Sequence, residues 1–234
     1  MLVTMNEILP AARREGRAVG AFNIGNYETA LAVVRAAEEL GQPVIVQLYS
    51  RLIDNGHGEP LGAAVRVLAE QASVPVALHL DHGSSVEQVR RAIAAGFTSV
   101  MLDASKLPFD ENVAAVREAV KLAREAGVSI ESEIGHVPMG GSTMAVSQLD
   151  ETVRFYEETK VDALAVSIGT AHGFYKDTPK IDVDLARRIG EAIPIPLVLH
   201  GGSGTPPEKI RAGIACGIAK AVSYTHLRAH ETGR

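Results

Sequence analysis

Short apolar runs alternate with longer amphipathic runs along this chain. The short runs are rich in Val, Ile, Leu and Ala and predict buried strands, whereas the longer runs carry apolar residues at helical spacing. The predicted strands cover residues 19–22, 43–48, 75–79, 98–103, 128–133, 162–168, 196–200 and, as a beginning only, 218–222. The predicted helices cover residues 27–40, 61–72, 85–95, 112–125, 148–159 and 184–192, with a last helix that begins at Pro206-Pro207.

Strands that are apolar throughout are buried on both faces, which is typical of a parallel sheet covered by helices. Strict alternation of strands and helices favours a closed α/β arrangement. We therefore predict an α/β fold, a TIM (β/α)8 barrel, as a single domain over residues 1–221. In such a barrel the carboxyl ends of the strands form one face, where the chemistry takes place.

The end of the chain departs from this pattern. Residues 222–232 do not continue an apolar strand into a helix, and they resemble the translation of a transposase-type sequencing adaptor. We therefore expect residues 222–234 to be a non-native tail and the barrel to be truncated within its eighth β/α unit. A barrel without a complete eighth strand would have open sheet edges, which lower stability and favour aggregation.

Composition narrows the classes of function. The chain has 234 residues, is 46% hydrophobic and carries a net charge of −5 without a basic block, so neither a nucleic acid nor a membrane surface is an expected partner. Cys216 is its single cysteine, which fits a reducing compartment. The sequence shows no signal peptide and no long apolar run, and we expect a cytoplasmic protein.

Histidines at strand ends are the main chemical signal. His82, His172 and His200 each lie at or just after the carboxyl end of a predicted strand. A glycine follows each of the three histidines directly. Neutral imidazoles converging on one face of a barrel can bind a catalytic metal and leave a further position open. The carboxylate of Asp81 lies next to the first of them and is suited to proton transfer.

Four ordered motifs carry a family resemblance over the chain up to about Lys220. They are His79-Leu80-Asp81-His82, Glu133-Ile134-Gly135-His136, Gly169-Thr170-Ala171-His172-Gly173 and His200-Gly201-Gly202-Ser203-Gly204, with weaker matches at 21–23 and 102–105. The sequence thus resembles the class II, zinc-dependent ketose-bisphosphate aldolases, whose members act on fructose or tagatose bisphosphate. The resemblance implies cleavage or formation of a ketose 1,6-bisphosphate, with dihydroxyacetone phosphate and an aldehyde as partners, through a zinc-stabilised enediolate.

The resemblance also implies individual roles. The zinc ligands would be His82, His172 and His200, and Asp81 would be the acid and base that serves the C4 oxygen. Asp103, Glu133 and His79 would either hydrogen-bond near the metal or bind a second divalent or monovalent cation. The phosphate of the substrate would bind at Gly173, Gly201, Gly202 and Ser203, where exposed backbone N–H groups and a hydroxyl suit a dianion. Asn23 would contact the substrate or serve as a polar residue at a strand end.

Two segments depart from the family pattern. Gly140 and Gly141 occupy positions where the family often has an acidic residue, so the base that deprotonates dihydroxyacetone phosphate is unassigned. Residues 47–51 replace a small, serine-containing loop that touches the distal part of the sugar. Arg51 in this segment would either pair with a second phosphate or be a solvated surface residue.

Other interpretations remain open at this level. A Schiff-base aldolase would use Lys220 on the eighth strand as its nucleophile, although it would leave the histidines unexplained. The chain would alternatively be a catalytically silent aldolase-like subunit or an inactive fragment. For a full-length version we expect a homo-oligomer that acts on a small-molecule sugar phosphate.

Overall fold

The computed structural model describes residues 1–135, 146–169, 181–203 and 205–223. Its strands are β1 (Val19–Asn23), β2 (Val44–Tyr49), β3 (Val76–Gly83), β4 (Ser99–Leu102), β5 (Ser129–Ile134), β6 (Ala163–Val166), β7 (Leu197–Leu199) and β8 (Ile218–Ser223). Its helices are α1 (Met5–Arg14), α2 (Tyr27–Leu40), α3 (Arg51–Asp54), α4 (Gly58–Gln71), α5 (Val86–Ala94), α6 (Phe109–Ala126), α7 (Leu149–Thr159), α8 (Val183–Ala192) and α9 (Pro207–Ile214).

The strands close into one parallel barrel in sequence order, so the predicted TIM barrel is confirmed. The expectation of open sheet edges is wrong. β8 pairs with β7 and also with β1, where Ala21 lies beside Val222 and Phe22 beside Ser223. The eighth strand thus continues two residues past the predicted boundary at residue 221. Residues 224–234 lie outside the described residues, and their non-native character stays a prediction.

Local signals explain the helix boundaries that the sequence predicts well. The side chain of Asn26 accepts a hydrogen bond from the backbone N–H of Thr29, which caps the start of α2. Gly41 ends the same helix in the left-handed conformation, at φ +60°, which glycine adopts at little cost. Two helices, α1 and α3, were not predicted. α3 spans only four residues, too few for a helical period to be recognised.

The apolar residues form two separate cores. One lies between the barrel and its surrounding helices, and the other fills the barrel interior. α1 contributes Met5, Ile8, Leu9 and Ala12 to the interior core, and the backbone N–H of Met5 donates to the hydroxyl of Ser129, the first residue of β5. The helix therefore closes the amino-terminal end of the barrel and leaves the carboxyl end for polar groups.

A helix that spans a membrane requires sufficient length and high hydropathy. Within the described ranges, every helix is too short or too polar to cross a bilayer.

Candidate active site

The carboxyl end of β3 positions the first two predicted site residues. His82 has a left-handed backbone conformation, with φ +49°, and the pairing of β3 with β4 is irregular between Leu80 and Gly83. At Gly83 a Cβ atom would collide with the carbonyl oxygen of Met101. The close approach of β3 to β4 thus requires glycine there, and the turn at His82 re-aims its ring over the barrel mouth.

The ring of His82 meets that of His200 from across the barrel. Nε2 of His82 lies 3.0 Å from Nδ1 of His200, with the two ring planes at 69°. Candidate ligand atoms of Asp81, His82 and His200 all lie within 4.8 Å of one another. Two imidazoles and one carboxylate at this spacing suit a divalent transition metal. The third predicted zinc ligand, His172, lies outside the described residues.

A chain of side-chain amides orients Asp81. The Nδ2 group of Asn23 donates to Asp81 Oδ2 at 2.7 Å, and Nε2 of Gln47 donates to Asn23 Oδ1 at 2.8 Å. Asp81 is 3% exposed, and its Oδ1 atom has no hydrogen-bond partner among the described residues. A buried carboxylate oxygen without a partner is costly, so this atom is suited to receive a substrate proton or to face a cation.

Acidic residues just after β4 and on β5 form the other flank of His82. Nδ1 of His82 lies 2.8 Å from Oδ2 of Asp103. The hydroxyl oxygen of Ser105 lies 2.7 Å from Oδ1 of Asp103 and 3.0 Å from Oε1 of Glu133, so its single proton is shared between two carboxylates. His82, Asp103 and Glu133 form a second group whose ligand atoms lie within 4.8 Å of one another. The structure brings these predicted residues together, and both of their predicted roles are compatible with the spacing.

The electrostatics of this cluster act on His82. Burial acts to lower the pKa of His82, but the surrounding carboxylates, with Asp81 the strongest, outweigh burial and raise it from 6.5 to about 9. Burial acts to raise the pKa of Asp103, but its hydrogen bond and charge pairing with His82 hold that pKa well below its usual range. A cation at this position would therefore displace a proton from His82.

A buried polar row lies below the His82–His200 pair. Nε2 of His200 lies 2.8 Å from Oε1 of Glu131, and the Nζ group of Lys220 donates to Oε2 of Glu131 at 2.6 Å. Nζ of Lys220 also lies 3.0 Å from Nε2 of His79, whose Nδ1 lies 2.7 Å from the hydroxyl of Ser99. Burial, followed by the charge of Lys220, holds the pKa of His79 well below its usual range. His79 thus contacts Lys220 and Ser99 below the barrel mouth.

The sequence alone did not predict Glu131 as a site residue, and it did not predict that Gln47 hydrogen-bonds to Asn23. A usable signal was present for the first of these, because Glu131 and Glu133 are two apart on β5 and so share the interior face of the strand. Gln47 is fully buried on the otherwise apolar β2. A buried amide requires partners, and only the fold identifies them.

The predicted phosphate-binding loop lies between the ends of β7 and β8. Gly201 has φ +68°, and a Cβ atom at Gly202 would lie 2.6 Å from the carbonyl oxygen of Val222. The hydroxyl of Ser203 lies 3.3 Å from that of Ser223. Glycines therefore allow this loop to approach β8 closely. Gly173, His136, Gly140 and Gly141 lie outside the described residues.

The segment that departs from the family pattern lies at the rim. Tyr49 is 46% exposed, and the centroid of its ring lies 6.2 Å from that of the His82 ring. Tyr49 also lies beside Asp81 in the pairing of β2 with β3. Arg51 is exposed at the start of α3, which fits either of its two predicted roles.

Comparisons with known proteins show which family the chain resembles. A family model described as fructose-bisphosphate aldolase class-II matches residues 3–233. The chain is 43% identical over 228 residues to a 6-phospho-5-dehydro-2-deoxy-D-gluconate aldolase of Halalkalibacterium halodurans, over 94% of this chain and 78% of that protein. It is 42% identical over 258 residues to a fructose-bisphosphate aldolase of Thermus caldophilus, over 97% and 84%. The crystal structure of the YdjI aldolase from Escherichia coli K12 superposes with a TM-score of 0.92 at 33% identity, covering 100% of this chain and 85% of that one.

Proposed function

The chain belongs to the class-II fructose-bisphosphate aldolase family, and from this premise we propose that it is a zinc-dependent lyase that cleaves and forms a ketose 1,6-bisphosphate. The products of cleavage would be dihydroxyacetone phosphate and an aldehyde. One observation carries the proposal. Asp81, His82 and His200 present a carboxylate and two imidazoles within 4.8 Å of one another at the carboxyl ends of β3 and β7.

The donor set fits a zinc ion. His82, His200 and the predicted ligand His172 would supply three imidazole nitrogens, which leaves one position for substrate. The Oδ1 atom of buried Asp81, which has no hydrogen-bond partner in the described part of the chain, marks a place suited to a positive charge or a proton. When bound, zinc supplies Lewis acidity that stabilises negative charge on the oxygens of the dihydroxyacetone phosphate unit. Asp103 and Glu133 would hydrogen-bond near this ion or hold a second cation.

Asp81 would transfer the proton of the C4 hydroxyl. Its Oδ2 atom accepts from the amide of Asn23, which leaves Oδ1 as the oxygen that takes the proton during cleavage and returns it to the aldehyde oxygen during synthesis. Gln47 holds the amide of Asn23 in turn. Asn23 would therefore orient the carboxylate, besides any contact that it makes with substrate.

The phosphate of the dihydroxyacetone phosphate unit would bind at the loop after β7. Gly201 and Ser203 would present backbone N–H groups and one hydroxyl beside the end of β8. The N–H of Gly202 donates to the carbonyl of Val222 at 3.1 Å, so Gly202 would contribute through its close approach to β8, and Gly173 would complete this site. The position agrees with the phosphate sites of many barrel enzymes, which use the loops after the seventh and eighth strands.

A substrate panel combined with metal analysis tests the proposal. The zinc-loaded chain is incubated with fructose 1,6-bisphosphate, tagatose 1,6-bisphosphate and 6-phospho-5-dehydro-2-deoxy-D-gluconate, and released dihydroxyacetone phosphate is measured. We expect turnover of at least one of the two bisphosphates, lost with a chelator and restored by zinc. Turnover of the gluconate derivative alone would contradict the substrate class of the proposal. His57→Ala is the matched control, because His57 is exposed beside α4. Full activity in zinc-free protein would contradict the proposal, and no activity with any substrate would favour a silent subunit or an inactive fragment.

Schiff-base chemistry at Lys220 is the second candidate mechanism. The side chain is fully buried and its Nζ group is engaged by Glu131 and His79, so the amine is paired and closed off from solvent. A nucleophilic amine must reach the substrate carbonyl with a free lone pair. Borohydride reduction in the presence of substrate would trap a covalent adduct if this mechanism operates, and we expect none.

A further inference from the structure

One buried ion pair takes no part in the proton transfer or the phosphate binding described above. Lys220 and Glu131 are both 0% exposed, as are their neighbours His79 and His200. The pair bridges β8 and β5 through the barrel interior, 89 residues apart in the chain. Removing two charges from water is expensive, and a buried ion pair is often no more stabilising than apolar side chains of similar volume. Its presence directly below His200 indicates a role in arranging that side chain.

The donors and acceptors along this row admit one arrangement. A charged lysine has donors only, so Nε2 of His79 accepts from Lys220, and Nδ1 of His79 donates to the hydroxyl of Ser99. The carboxylate of Glu131 accepts from Lys220 at Oε2. Its other oxygen, Oε1, lies 2.8 Å from Nε2 of His200 and accepts a hydrogen bond from the N–H at that position.

The consequence appears at the opposite nitrogen of His200. With the proton on Nε2, Nδ1 carries the lone pair, and this is the atom 3.0 Å from Nε2 of His82. A histidine ligand must present an unprotonated nitrogen to its metal, and the hydrogen bond made by the other nitrogen selects which one that is.

We propose that Lys220 and Glu131 are positioning residues, which fix the orientation and the proton of His200 so that Nδ1 faces the metal position. Lys220 acts through Glu131: its ammonium holds one carboxylate oxygen in place, which leaves the other to hold the imidazole. The inference rests on the proposed function, because it concerns a side chain that would bind zinc.

The protonation of His200 is tested first, in zinc-free protein. ¹⁵N-labelled histidine gives different NMR shifts for the two ring nitrogens, and the signals of His200 are assigned by their loss in the His200→Gln variant. We expect the proton on Nε2. A proton on Nδ1 would overturn the proposal, and this result needs no variant of the buried pair to fold.

Two double variants then test the effect on zinc. Both carry Lys220→Met, so that each loses the whole ion pair. Glu131→Gln retains an oxygen that accepts from His200, whereas Glu131→Leu has a similar volume and no acceptor. Because partners of metal-bound histidines typically contribute about 10–100-fold to metal affinity, we expect the leucine variant to bind zinc about 10–100-fold more weakly than wild type. The glutamine variant should lie between the two, because it keeps an acceptor for His200 but loses the ammonium that holds this acceptor in place.

Zinc affinity is measured by competition with a chromophoric chelator, and the His200 spectrum of each variant is recorded alongside. Equal zinc affinity in the two double variants, with the proton on Nε2 in both, would show that the pair is merely structural and overturn the proposal. If the leucine variant does not fold, a glutamine variant that binds zinc as tightly as wild type would overturn the role proposed for Lys220. A wild-type chain that binds no zinc would contradict the proposed function itself. This result can be distinguished from failure of the positioning proposal, which is read from the two variants.

Discussion

The two ends of the barrel interior are built from the same strands but have opposite chemistry. On the first four strands an inward apolar residue is followed, two or four positions further along, by a polar one, because strand residues two apart share a face. The changes run from Ala21 to Asn23 on β1, from Ile45 to Gln47 on β2, from Ala77 to His79 and Asp81 on β3, and from Met101 on β4 to Asp103 just after it.

This difference separates stability from function within one fold. The apolar end, closed by α1, removes hydrocarbon from water, which is the main favourable contribution to folding. The polar end buries charges at Asp81, Glu131 and Lys220, which costs free energy unless each is paired. The comparison predicts that substitutions at the two ends change different measured quantities.

Loss of a proposed metal ligand at the polar end has the largest expected effect. His200→Ala should reduce the zinc content from about one ion per chain to nearly none and abolish turnover, because it removes one of three histidine ligands. Zinc is measured by atomic emission and turnover by release of dihydroxyacetone phosphate. His57→Ala is the control and should retain both. A His200→Ala variant that keeps its zinc and activity would place the metal elsewhere.

Removal of the Asp81 carboxylate should separate catalysis from metal binding. Asp81→Ala is expected to lower kcat by about 10²–10⁴-fold, the usual contribution of a general acid or base, while zinc remains bound. Steady-state kinetics and zinc analysis of the same preparation check both statements. If the variant loses its zinc instead, the carboxylate is a ligand or a structural group, and the proton transfer belongs to another residue.

Shortening a side chain at the apolar end should change the stability of the fold and leave zinc binding unchanged. Met101 is fully buried in the interior core, and Met101→Ala is expected to lower the free energy of unfolding by about 2–5 kcal/mol through lost burial and the cavity that remains. Urea unfolding measures this change. Zinc affinity of the folded variant should equal that of wild type. A large loss of zinc affinity would show that the two ends are not independent.

The smallest expected effect is the pH dependence of the zinc-free protein. The pKa of His82 is raised from 6.5 to about 9 in the folded state, so its charged form stabilises the fold below pH 6.5, and this contribution is lost as the pH rises through about 9. Urea unfolding in chelator at pH 6 to 9 should show this decline. His82→Gln should show a flatter profile, and an equally steep one would assign the titration to another group.

Local patterns in the sequence predicted most of the elements and half of the site. Strand and helix periods depend on nearest neighbours along the chain, so the order of strands and the placement of Asp81, His82 and His200 at strand ends followed from sequence alone. α1 was missed although Met5, Ile8, Leu9 and Ala12 have helical spacing. Pro10 lies inside this helix, and the apolar face gains its partners only from the barrel interior.

The sequence by itself therefore determined which residues lie on the interior face and near which end of each strand. Only the tertiary structure decided which of them meet, because closure, tilt and stagger of the barrel set the contacts across its interior. His82 and His200 are 118 residues apart, and Lys220 and His79 are 141 apart. The pairing of β8 with β1 was likewise a matter of closure, since the strand that the sequence predicts only as a beginning gains a neighbour on each side in the closed barrel.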